Sequence, residues 1–135
     1  MLDSVPGTLF IRVECVKDTV VKLPNLRGAF VPPRKITHYL LDTSHDEGRG
    51  KALFFLHVGF DIAHWEELAE ALVNHAQEHE VEKEETTRFG TRYIIEGALP
   101  TPAGRYVQLR SVWFISQGNP DPQFVTAYPL EEQYD

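Results

Sequence analysis

The segment VEKEETTRFGTRYIIEGAL, Val81–Leu99, decides the fold. On both sides of Arg88-Phe89-Gly90 the pattern has a period of two, as expected for antiparallel strands joined by a turn whose Gly adopts positive φ. The same period continues downstream. Thr101-Pro102-Ala103-Gly104 turns the chain into a strand over Arg105–Ser116, and Gly118-Asn119-Pro120-Asp121-Pro122 turns it again into Phe124–Tyr128. Upstream of Val81 the period becomes helical. Trp65, Leu68, Ala69, Leu72 and Ala76 share one face behind Asp61, a suitable N-cap. A second helix is expected over Gly48–Val58, ending at Gly59. A third, over Pro33–Leu41, starts at a proline whose missing N–H costs nothing there, and would bury Ile36, Tyr39 and Leu40. Thr8–Val16 and Thr19–Leu23 read as strands turning at Lys17-Asp18.

Helices followed by a meander predict an α+β fold, with N-terminal strands and two to three helices packed on one face of a C-terminal antiparallel sheet of about four strands. Residues 1–21 then form an N-terminal strand extension, 22–129 a single α+β domain, and 130–135 a frayed tail. The chain has 135 residues and is 42% hydrophobic, enough for one packed core. Its net charge of -7 disfavours nonspecific attraction to nucleic acid or anionic lipid at long range. Cys15 is the lone cysteine, which excludes an internal disulfide and Cys-rich zinc sites. Neither a membrane span nor an export signal is recognisable, so a cytoplasmic protein without membrane attachment is expected.

Alternation assigns the sheet faces. Val107, Leu109, Trp113 and Ile115 share one side with Tyr93, Ile95 and Leu99, and this set is placed against the helices, together with Val125 and Ala127. The opposite face then carries Arg92, Glu96, Gln108, Arg110, Thr126 and Tyr128, with Phe124 beside them. Such a polar set suits metal-independent cleavage of RNA, in which Arg binds phosphate through its planar fork and an exposed aromatic ring stacks a base. The competing reading is that these charges are surface ion pairs worth roughly 0–1 kcal/mol.

Of six histidines, His45 stands apart, in a polar loop among Ser44, Asp46, Gly48 and Arg49, where an imidazole near its ordinary pKa suits proton transfer. Lys51 follows closely and can reach a phosphate; alternatively its stem lies over apolar surface with the ammonium in water. His75 and His79 have metal-ligand spacing, but no Glu follows His75 and Glu-rich sequence surrounds them, so they read as solvated surface. Gly48-Arg49-Gly50-Lys51 lacks the Walker spacing, which argues against triphosphate hydrolysis.

The order of several short motifs is familiar. Lys22-Leu23-Pro24-Asn25, Val31-Pro32-Pro33-Arg34-Lys35-Ile36, Gly90-Thr91-Arg92-Tyr93, Arg110-Ser111-Val112-Trp113 and Val125-Thr126-Ala127-Tyr128-Pro129 resemble a family of small bacterial domains of unknown function, from about Lys22 to Pro129. That family is in turn similar to the barnase, EndoU, colicin and RelE group of ribonuclease toxins. The resemblance implies RNA cleavage without metal or other cofactor, and a cognate antitoxin or immunity protein as partner. It makes His45 and Lys51 helix-side candidates and Arg110, Thr126 and Tyr128 sheet-side ones. Arg49, Arg92 and Arg105 would add a local basic patch for substrate. Because the helices and the Arg110 set fall on opposite sheet faces, the helix-side groups must reach it past an edge. The alternative from another class is a non-catalytic acidic interaction module, homodimeric through an exposed strand edge.

Overall fold

A computed structural model describes residues 21–44 and 49–130. The expected strand Thr8–Val16 lies outside the described residues, as does the start of Thr19–Leu23. The described end of the latter is not part of the sheet, although the Val21 C=O accepts a hydrogen bond of 2.7 Å from the Val81 N–H. The frayed tail also falls largely outside. The helical elements are α1 (Pro33–Lys35), which runs directly into a π-helical turn (Ile36–Leu40), then α2 (Arg49–His57) and α3 (Trp65–Glu78). Four strands follow: β1 (Val81–Thr87), β2 (Gly90–Pro100), β3 (Tyr106–Ser116) and β4 (Asn119–Pro129). They form one antiparallel sheet in the order β1-β2-β3-β4. The fold is α+β, with its helices on one face of an antiparallel meander.

The core lies between the helices and the inner sheet face. Leu68, Leu72 and Ala76 of α3 meet Ile95, Leu99, Leu109 and Trp113, all fully buried. The Trp113 and Phe124 rings pack edge to face at 5.4 Å. Phe124 was expected on the outer face. A bulge beside Val112 and Trp113 shifts the register of β4, so Phe124 opposes Trp113 and turns inward, while Val125 is only half-buried. One extra residue thus reverses alternation upstream of it. β4 also begins earlier than expected, at Asn119 despite Pro120 and Pro122. It is an edge strand, where a missing N–H is tolerated. Its start is covered by Phe30, which donates to the Pro122 C=O at 3.0 Å and accepts from the Phe124 N–H at 3.0 Å.

His75 corrects the surface reading of the histidine pair. It continues the inner stripe of α3, three residues after Leu72, and is 1% exposed. Its Nδ1 meets the Ser111 hydroxyl at 2.9 Å and its Nε2 the Gly97 C=O at 3.1 Å. A carbonyl only accepts, so Nε2 carries the proton and Nδ1 accepts from Ser111. The Trp113 indole N–H donates to the same Ser111 oxygen at 3.0 Å, so a polar chain links α3 to the sheet. One turn on, His79 bonds the Ala98 C=O at 2.8 Å, and its ring occupies the space above Gly97, where an added Cβ would lie 2.4 Å away.

Burial, helped by the neighbouring His79, lowers the His75 pKa from 6.5 to about 4, despite the carbonyl bonds that favour its charged form. The folded protein thus keeps His75 neutral where the unfolded chain protonates it. The associated stability is complete above pH 6.5 and is lost as pH falls towards about 4. Across that window we expect wild type to lose roughly 3 kcal/mol more unfolding free energy than His75→Gln. Urea melts at several pH values measure both slopes, and equal slopes would place the acid sensitivity on another group.

Candidate functional site

The outer face is organised by a single rung. Glu96 of β2 pairs across with Arg110 of β3, which pairs with Tyr128 of β4, so three polar side chains stand side by side. The Arg110 Nε donates to Glu96 Oε2 at 2.7 Å, and its Nη2 is in ion-pair contact with the same carboxylate. The Arg110 Nη1 donates to the Tyr128 hydroxyl at 3.3 Å, and the guanidinium lies 5.6 Å from the Tyr128 ring centroid. The bonds to Tyr128 and Glu96 raise the Arg110 pKa, so it stays cationic.

Lys51, near the start of α2, joins this rung from the helical side. Its Nζ donates to the Tyr39 hydroxyl at 2.6 Å and to Thr126 Oγ1 at 3.1 Å, and it lies 5.5 Å from the Tyr128 ring centroid. Lys51 and Arg110 therefore share one tyrosine ring. Thr126 lies on the outer side of the edge strand, so Lys51 reaches it from α2 past the edge of β4. The placement that sequence alternation made hard to reconcile is resolved by this wrap around the edge.

Tyr39 was expected in the core, and it is a site residue that sequence reasoning missed. The π-helical turn is closed by the Leu41 N–H bonding the Ile36 C=O at 2.9 Å. This wider turn buries Ile36 and Leu40 and leaves Tyr39 half-buried between the core and Lys51. Such turns recur at functional positions, but no residue type announces them. Burial pushes the Tyr39 phenol up. Hydrogen bonds with Lys51 and Thr126, and the charges of Lys51 and Lys35, outweigh that and leave its pKa below the ordinary 10.0.

The other expected residues are dispersed. Arg92 stands on the outer face four residues before Glu96, opposite Phe114, and its Nε lies 3.8 Å from Glu85. At about 3.4 Å per residue this is roughly 13 Å from the rung. Arg105 lies at the opposite end of the sheet, in a groove beside α2, and Arg49 is exposed at the start of α2. His45 lies outside the described residues. Among the described residues no group of three or more His, Cys, Asp or Glu side chains is placed to hold a metal ion, and no helix is long and apolar enough to cross a membrane.

Chemically, the arrangement sets two cations and a phenol side by side. An ammonium has three N–H bonds and a guanidinium five, so both cations keep donor capacity beyond their bonds to the described residues. Tyr39 adds a hydroxyl whose pKa is lowered from its ordinary value.

The family model for "Domain of unknown function (DUF6883)" matches residues 22–131. The chain belongs to the DUF6883 family. No curated protein matches it. Its fold is similar to that of a chain in a contact-dependent growth inhibition toxin–immunity protein complex from Klebsiella pneumoniae 342. The TM-score is 0.62 at 19% identity, covering 78% of this chain and 97% of that one.

If Lys51 sets the state of Tyr39, Lys51→Met should move the Tyr39 titration to higher pH. Ultraviolet pH titration of each protein against its Tyr39→Phe counterpart isolates that phenol, and an unmoved titration would break the assignment.

Proposed function

We propose that this DUF6883 domain is an endoribonuclease of the toxin type, neutralised by a cognate immunity protein. The observation that carries the reading is the convergence of Lys51 and Arg110 on Tyr128, with Thr126 and Tyr39 in contact with Lys51. The likeness of fold to a chain of a toxin–immunity complex supports it. The growth-inhibition role and the immunity partner are carried over from the toxin of that complex, with this chain taken in the toxin's place.

In the proposed reaction a 2′-hydroxyl of RNA attacks the adjacent phosphorus. The 2′ O–P bond forms, the P–O5′ bond breaks, and the products are a 2′,3′-cyclic phosphate and a 5′-hydroxyl. The 2′ proton leaves to a base and the 5′ oxygen receives one from an acid, so no water or metal is consumed. Arg110 clamps the phosphate, its charge opposing that which develops on the non-bridging oxygens. Lys51 adds the second positive charge and holds Tyr39 ready to exchange a proton. Thr126 and Tyr128 orient the substrate, while Arg49, Arg92 and Arg105 guide the strand from further out. His45 keeps the acid or base role expected from the sequence.

Purified protein should cleave RNA in the presence of EDTA, and Arg110→Ala or Lys51→Ala should slow this by about 100-fold or more, the range for losing a preorganised charge. Tyr39→Phe and His45→Ala, assayed across pH, show which group contributes each limb of the profile. Intact RNA of several classes after incubation with folded wild-type protein would end this reading.

A further inference from the structure

Beside the cation cluster, α2 and the first residues of β3 enclose an open groove of about 820 Å³. Leu53, Phe54, His57, Arg105 and Tyr106 form its walls, and among the described residues no carboxylate lines it. In a chain of net charge -7 the described lining thus carries a cation, Arg105, and no anion. Leu53 is 50% exposed and Tyr106 71% exposed. The helix itself is apolar on more than one side, with Ala52 and Phe55 buried while Leu53 and Leu56 face solvent. A stripe of this kind left open to water marks a binding surface more often than a scattered single residue does.

The groove adjoins the proposed phosphate site through α2. Gly50, in its lining, precedes Lys51, and Phe54 follows Lys51 by three residues. Side chains at that spacing are neighbours on a helix, about 5–6 Å apart at Cβ. Lys51 and the groove are thus served by adjacent positions of one helix.

Resting on the ribonuclease reading above, we propose that the groove holds an unpaired nucleobase of single-stranded RNA next to the scissile phosphate. The Tyr106 ring offers a stacking face and Leu53 and Phe54 an apolar floor. Arg105 meets the following phosphate. The volume lies within the roughly 300–1,000 Å³ usual for small-ligand clefts, which leaves room for a base. Because every base has a π face, selection falls on single-strandedness rather than on one sequence.

The test uses a fluorescein-labelled single-stranded 2′-deoxy oligonucleotide, which lacks the attacking hydroxyl and cannot be cleaved, with the matching duplex as control. Anisotropy at low salt should show the single strand binding more tightly. Tyr106→Ala should weaken it by about 5- to 150-fold, the span of one stacked base. Tyr106→Phe keeps the ring and should bind like wild type; both variants alter an exposed side chain, and circular dichroism checks their fold. Equal binding by Tyr106→Ala, or equal binding of duplex and single strand, would overturn the assignment. Wild type that ignores the oligonucleotide but binds polyglutamate in a Tyr106-dependent way would make the occupant an acidic protein, and would also overturn it. The two proposals fail separately. Ring-dependent binding without RNA cleavage would refute the ribonuclease alone, whereas RNA cleavage with an unchanged KM in Tyr106→Ala would refute the groove alone.

Discussion

The Lys51 ammonium joins two layers that the sheet would otherwise keep apart. Its bonds to the Tyr39 hydroxyl at 2.6 Å and to Thr126 Oγ1 at 3.1 Å tie the π-helical turn, α2 and the edge strand β4 at one atom. Bonds to a charged donor are worth about 1.5–3 kcal/mol in mutational series, more than neutral ones. The half-buried position of Tyr39 strengthens them further, because there is less water to compete. The same constraint tunes chemistry. An ammonium held against a phenol favours the phenolate, so the contact that positions α2 also lowers the Tyr39 pKa.

The rung of Glu96, Arg110 and Tyr128 has a different purpose. An ion pair this accessible contributes little stability, because water and salt screen it. What it supplies is direction. The Glu96 carboxylate engages Nε and Nη2, and the Tyr128 hydroxyl engages Nη1, so the guanidinium plane is held rather than left to swing. A charge preorganised in this way costs less reorganisation when an anion arrives than a free surface arginine would. Tyr128 completes the link, since its ring lies 5.5 Å from the Lys51 Nζ and 5.6 Å from the Arg110 guanidinium.

Much of this could be read in the sequence, and the failures have physical causes. Alternation assigned Tyr93, Ile95, Leu109 and Trp113 to the core and Glu96, Arg110, Thr126 and Tyr128 to the outer face, because a period of two survives wherever the ladder is regular. It failed at Phe124, where a bulge adds a residue that no motif marks. Tyr39 was misplaced for a related reason. A π turn changes the helical phase locally, so periodicity sent an aromatic residue to the core that the wider turn delivers to Lys51. His75 was read by its glutamate-rich neighbours, although its position on the Leu68–Leu72–Ala76 stripe was the stronger signal. Its partners Ser111 and Gly97 lie far along the chain, and pairing at such separation is invisible to any local pattern.

The sheet thus carries a polar network on each face, and hydrogen-bond accounting separates their purposes. On the inner face, both His75 nitrogens are engaged, and the Ser111 hydroxyl gives one bond to His75 and takes one from Trp113. That network is closed, lies in the core and holds its histidine neutral, properties that specify how α3 docks and offer nothing to a ligand. On the outer face the main groups are cations with more N–H bonds than the described residues engage, set in a half-exposed site against the Glu96 carboxylate. Unspent donor capacity at fixed positive charge stabilises a fold poorly and receives an anion well. The asymmetry between the two networks therefore sets Lys51, Arg110 and Tyr128 apart from the paired histidines, whose spacing alone resembles that of metal ligands.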